Sequence, residues 1–259
     1  MKKLVFCHGL GFTKSILLPL ILSIESFYGR DKVQGSILKE HFHKSLTLSE
    51  ISDKKESAKK EENSDFVFTD NLENSIEIIN LDLGYFDEKN IPNEKYLDGA
   101  IAIGHGLGFN KLLDMNVKWS GIVGISTLLQ FVYDEESKRK IENLQNTFNL
   151  DAELVLKSMV GRLSNNEAVM ALPYPNMNVD LIKQDIEYLK NINSKKLLQQ
   201  KQIPTLFLHG SKDNWCDITE AKNQLSDYNL IINENASHIL GYLHALWCCK
   251  NIVDFIKNS

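Results

Sequence analysis

Apolar residues fall in short, nearly continuous runs: KLVFC at 3–7, IEIINL at 76–81, AIAI at 100–103, GIVGI at 121–125, IPTLFLH at 203–209 and NLII at 229–232. Each run has the length of a strand and is bounded by Gly, Asp, Asn or Pro. Strands without polar alternation are buried on both faces, as in a parallel sheet covered by helices. Between the runs, apolar positions recur at helical spacing over 14–26, 180–190, 218–226 and 242–257. Strands alternating with helices predict an α/β chain built on a mostly parallel, doubly wound sheet.

Two stretches break the alternation. Residues 40–75 contain SEISDKKESAKKEENSD, rich in Lys, Glu and Ser and nearly free of large apolar groups, and read as a solvated, mobile insertion. Residues 127–198 carry helical patterns without strand signals and interrupt the sheet ahead of TLFLHG. A helical insertion there sits over the carboxyl ends of the strands, where α/β sheets bind ligands. The expected division is therefore a core of 1–126 and 199–259 with a helical lid at 127–198.

Composition narrows the function classes. The 259 residues are 43% hydrophobic and 24% charged, as in a globular α/β chain, and a net charge of -5 argues against nucleic acid. The four cysteines form no CxxC pair, which predicts a reduced, cytoplasmic compartment. The start of the chain is signal-like, but His8, Gly9, Gly11 and Lys14 interrupt its apolar run. No run approaches the ~18 to 20 apolar residues of a membrane span. A soluble monomer that does not engage membranes is expected.

The chemistry is suggested by HGLGF-x-K, which occurs at 8–14 and again at 105–111. The second copy, Gly104-His105-Gly106-Leu107-Gly108, follows the AIAI strand and matches a G-x-S-x-G nucleophile elbow except that Gly106 holds the serine position. Glycine enters such a strained turn easily but has no oxygen to attack a carbonyl. The same letters also fit an ordinary tight turn; the spacing of G-x-G-x-x-G is missing, which weakens a dinucleotide reading. The first copy, His8-Gly9-Leu10-Gly11, stands where a hydrolase places its oxyanion loop, making the backbone N–H groups of Leu10 and Leu107 the expected donors. Asp213 follows the TLFLHG strand and His238 follows the next one, so elbow, acid and histidine come in hydrolase order. Each has a plainer reading: Asp213 as a turn residue, His238 as a satisfied core histidine, as His244 is taken to be. His105 is expected to point away from the serine position and to pack. His41 and His43 form an H-x-H without a third ligand, so no metal is expected.

With these features the chain resembles the α/β-hydrolase superfamily. Ala171-Leu172-Pro173-x-Pro175, Val179-Asp180, Asp185, Glu187-Tyr188-Leu189-Lys190, Ile203-Pro204 and Leu208-His209-Gly210 resemble the pimeloyl-[acyl-carrier protein] methyl ester esterases of biotin synthesis. That resemblance implies a cofactor-free carboxylesterase of the Ser-His-Asp type, with Asp213 as acid, His238 as base and Gly106 where the nucleophile belongs. Its implied partner is an acidic carrier protein bearing a pimeloyl ester, or else the substrate is a small ester. Lys138, Arg139, Lys140, Lys157 and Arg162 would steer such a carrier, a role weighed against an ordinary solvated helical face. Three accounts of Gly106 compete: an engineered serine-to-glycine form of an active esterase, a natural pseudoenzyme that binds an acyl chain or a protein, or another group in place of the serine, the last disfavoured because no Ser, Cys or Thr lies within the elbow.

Overall fold

The computed structural model describes residues 1–29, 33–34, 75–163 and 176–258. The charged insertion expected at 40–75 lies outside them except for Ser75, as do His41, His43 and the 171–175 segment.

The apolar runs become strands: β1 Lys2–Cys7, β3 Ile76–Leu81, β4 Ile101–His105, β5 Gly121–Ile125, β6 Thr205–Gly210 and β7 Asn229–Asn233. β2, Val33–Gln34, is two residues long and too short to leave a pattern in the sequence. The sheet order is β2-β3-β1-β4-β5-β6-β7, with every described pairing parallel. Leu4, Val5 and Phe6 on β1 and Ile101, Ala102 and Ile103 on β4 are all buried, so both faces of the central strands are covered. That burial explains the missing alternation.

From β1 the chain moves out to β2, steps back inward to β3 and then crosses to the other side of β1 to form β4. The order therefore reverses between β1 and β4, and a crevice opens there at the carboxyl ends. Register aligns those ends, pairing Cys7 with Gly104, His105 with Ile125, and Ile125 with Leu208.

Helices flank the sheet. α1 (Leu18–Tyr28) carries Pro19 in its first turn and follows a 3-10 turn at Lys14–Leu17, so the single helix expected over 14–26 is split. α2 (Glu94–Leu97) is one turn, and α3 (Leu107–Asp114) leaves β4 directly. Among the described residues, four helices lie between β5 and β6: α4 (Glu135–Leu150), α5 (Ala152–Leu163), α6 (Val179–Asn191) and α7 (Lys195–Lys201). α4 begins with a capping box in which Asp134 and Ser137 each accept from the other's backbone N–H. α7 runs across the boundary expected at 198/199, because the sequence around 198 carries no Gly or Pro to end a helix. α8 (Ile218–Gln224) follows β6; α9 (Leu240–Leu243) and α10 (Ala245–Asn258) replace the one helix expected over 242–257.

No described helix is long and apolar enough to cross a membrane. Cys7, Cys216, Cys248 and Cys249 are buried and unbridged.

Candidate active site

The turn between β4 and α3 is set by three glycines with different duties. A methyl group on Gly104 would meet Phe109 Cα and N at 2.3 Å, and one on Gly108 would meet the Cys7 and His8 carbonyl oxygens at 2.4 and 2.5 Å. Strand, helix and the neighbouring β1 end pass too closely for any side chain at these two positions. Gly106, at φ 50° and ψ -125°, is the pivot. Its N–H donates to Ile125 O at 2.9 Å, and its carbonyl accepts the Thr127 hydroxyl at 2.9 Å. Only its dihedral angles are demanding: a Cβ there has ordinary room, its nearest neighbour being His238 Nε2 at 3.6 Å.

His238 is brought to that spot by a backbone seam. Gly210, at the end of β6, lies so close to Ala236 that a Cβ would touch its carbonyl oxygen at 2.3 Å. Ser211 N–H donates to Asn233 O and Lys212 N–H to Ala236 O, both at 2.9 Å, fastening the loop after β6 to the loop after β7. Asp213 and His238 sit on the two sides of this seam, with His238 Nδ1 2.9 Å from Asp213 Oδ2. The other carboxylate oxygen accepts from the N–H groups of Trp215 and Cys216, both at 2.8 Å.

Burial raises the Asp213 carboxyl, but facing His238, its hydrogen bond, nearby His209 and the Cys216 N–H outweigh that and hold it below the usual carboxylate range. An ionised Asp213 fixes the proton of His238 on Nδ1 and leaves Nε2 as an acceptor directed to position 106. A histidine so placed can take a proton from a group at that position.

A cleft of about 20 Å³ opens over this point, and Leu10, Leu107, Gly106 and His238 all line it. Leu107 is the first residue of α3, so its N–H has no intrahelical acceptor. The two residues expected to donate thus meet at the glycine and the histidine. His105 is buried, as expected of a packing residue, yet it does more than fill space. Its Nε2 donates to His238 O at 3.2 Å, its ring lies 4.9 Å from the His238 ring, and burial pushes its pKa down to about 3. His244 is half-buried, at the end of α9.

Lys138, Arg139, Lys140 and Lys157 are exposed on α4 and α5, as is Arg162. Lys140 pairs with Glu136 and Lys157 with Glu153, both within one helix. Lys140 and Arg162 also line a larger cavity, which separates them from Lys138, Arg139 and Lys157.

Several neighbours went unnoticed in the sequence. Phe131, Met159, Leu163 and Trp215 wall the cleft. The 156, 159, 160, 163 spacing of buried apolar residues on α5 was the available signal for two of them. Ser126, at φ 49°, presents its carbonyl 3.8 Å from where a Cβ at 106 would stand and accepts the Cys216 thiol at 3.4 Å. Nothing in the spacing announced it.

Asp213, Cys216 and His238 offer atoms within 4.8 Å of one another, close enough to surround a cation. The thiol, however, is pushed well up by burial and then by Asp213, and the carboxylate already accepts three hydrogen bonds. The trio fits a proton-holding network better than a metal site, which needs a deprotonated thiolate.

No protein-family model and no curated protein matches the sequence. Solved structures do. An esterase from Exiguobacterium antarcticum matches with a TM-score of 0.68 at 13% identity, covering 99% of this chain and 92% of that one. A hydrolase from Oleispira antarctica gives 0.67 at 12%, covering 100% and 92%. A bromoperoxidase from Bacillus anthracis gives 0.66 at 13%, covering 99% and 92%. Likeness at such identity speaks for architecture alone, and with the strand order, the inserted helices and the turn at Gly106 it establishes that this chain has the α/β-hydrolase fold.

Proposed function

We propose that the chain is a carboxylesterase scaffold of the Ser-His-Asp type whose attacking group is missing at Gly106. The observation that carries this reading is the room at Gly106: a Cβ fits there and would stand 3.6 Å from His238 Nε2, whereas Gly104 and Gly108 admit no side chain. A hydroxyl at 106 would give up its proton to His238, Asp213 would stabilise the imidazolium, and the Leu10 and Leu107 N–H groups would receive the developing oxyanion. The alcohol would leave with the proton held by His238, and water deprotonated by the same histidine would then cleave the acyl intermediate, releasing the acid and restoring the hydroxyl. As it stands, the chain holds the acid, the base and the donors but forms no acyl intermediate.

The narrower substrate is the methyl ester of a pimeloyl chain on acyl-carrier protein. Its support is the sequence resemblance together with the exposed cations Lys138, Arg139 and Lys157 on α4 and α5, which suit an acidic partner. The helices from α4 to α7 act as the lid in this reading. A second reading, a non-catalytic binder of an acyl chain or protein, is favoured by the glycine itself.

Gly106→Ser separates the two. For an esterase scaffold, ester hydrolysis rises by roughly 10³-fold or more and collapses again when His238→Ala is added. A folded Gly106→Ser protein with no gain leaves the binder. Methanol release from pimeloyl-carrier methyl ester, compared with short simple esters, then tests the narrower substrate.

A further inference from the structure

Beside the small cleft lies a cavity of about 550 Å³ between α4, α5, the loop after β5 and the loop bearing Asp213. Phe131, Met159, Leu163 and Trp215 are walls of both, so the cavity abuts the site at Gly106 across these four side chains. Its volume is that of a small-molecule pocket. Most of its lining is apolar, including Ile141 and Leu144 of α4. Its charged lining is one-sided: Lys140 and Arg162 are there, and no Asp or Glu is found among its described lining residues.

The periodicity of α4 explains how this comes about. Ser137, Ile141 and Leu144 form its buried stripe, and Lys140 flanks that stripe at the cavity while Lys138 and Arg139 project elsewhere. On α5, Met159 and Leu163 face inward, and Arg162 borders the same cavity. The Glu136 carboxylate paired with Lys140 is three-quarters exposed, and so exposed a pair is easily exchanged for another anion. Long cationic side chains with apolar stems at a pocket's edge suit a ligand whose chain is buried and whose head is negative.

We infer that this cavity binds a small amphiphile made of an unbranched acyl chain ending in an anionic group, the chain lying against Phe131, Ile141, Leu144 and Met159 and the head meeting Lys140 and Arg162. This rests on the esterase reading only in placing an ester end, if the ligand has one, at Gly106. It assigns Lys140 and Arg162 to a ligand rather than to a docked acidic protein.

Binding to the chain as it stands tests this, using isothermal titration with three eight-carbon probes: octanoate, octanol and octyltrimethylammonium. Octanoate is expected to bind roughly tenfold tighter than octanol, with the cation weakest. In the doubly substituted Lys140→Met, Arg162→Met protein, the preference for octanoate falls to within about twofold while octanol binding persists, since the stems are replaced by apolar groups. Lys138→Met should keep the full preference. Equal affinity for octanoate and octanol, no octanoate binding, or a preference that survives the double substitution overturns the inference. The outcome is independent of whether Gly106→Ser hydrolyses esters, so failure here and failure of the esterase reading are told apart.

Discussion

The two copies of HGLGF-x-K are the same in sequence and different in structure. In the first, φ turns positive at Gly11, at 72°, and the chain enters a 3-10 turn capped by Thr13. In the second it turns positive two residues earlier in the motif, at Gly106, and an α-helix starts at once. The residues that follow account for the difference. Asn110-Lys111-Leu112-Leu113 continues a helix, whereas Thr13 and Ser15 hydrogen-bond locally and Pro19 sets where α1 begins.

Their histidines also differ. His8 Nε2 accepts the Leu83 N–H at 3.0 Å, so its proton is on Nδ1, facing Gly9 O. His105 has its proton on Nε2, donated to His238 O. The turns interlock: Gly108 makes way for the carbonyls of Cys7 and His8, and a Cβ on Gly9 would approach the His105 ring at 2.9 Å. An identical motif thus leads in one copy into a 3-10 turn and in the other serves as the pivot from strand to helix.

The largest test of this contrast is Gly108→Ala. Its methyl group would meet backbone oxygens that cannot rotate away, and a loss of about 4 kcal/mol or failure to fold is expected in urea denaturation. Gly106→Ala, with space but an unfavourable φ, should cost about 2 kcal/mol and remain folded. If both cost the same, the special status of position 106 falls.

A pH series tests the histidine difference. Because His105 titrates near 3 in the folded chain and near 6.5 when free, the unfolded chain takes up the proton first as the pH falls. The His105 contribution to the loss of stability therefore runs from about pH 6.5 downward and levels off below about 3. His105→Gln, which keeps a donor, should remove about 2 kcal/mol of the loss between pH 6.5 and 5. His209, also lowered first by burial, remains in both proteins and cancels from the comparison. An unchanged slope would contradict the buried neutral ring. Gly11→Ala joins an unfavourable φ of 72° to contacts at 2.8 and 2.9 Å with the movable tips of Leu156 and Met159, and a cost of about 2 kcal/mol, matching Gly106→Ala, is expected by the same denaturation.

Much of this was legible beforehand for definite reasons. Strand positions could be read because double-sided burial forces continuous apolar runs, and the order of elbow, acid and histidine because each lies in the turn or loop that follows a strand. Helix boundaries were less legible: a 3-10 turn keeps an apolar spacing close to that of an α-helix, and the break at His244 carries no Gly or Pro. The site's walls were hidden for another reason. Phe131 and Trp215 sit on loops, where no period exists to mark an inward face, and which α4 lysine borders the cavity depends on which side of the helix meets it.

The seam joining Gly210 to Ala236 has an evolutionary side. It holds the loops bearing Asp213 and His238 together with backbone contacts that do not involve residue 106, so the placement of the pair does not depend on which side chain stands at 106. Two of the glycine codons differ from serine codons by a single base. On the esterase reading, a chain using either codon at 106 stands one base change from regaining a hydroxyl there, with nothing else to rebuild.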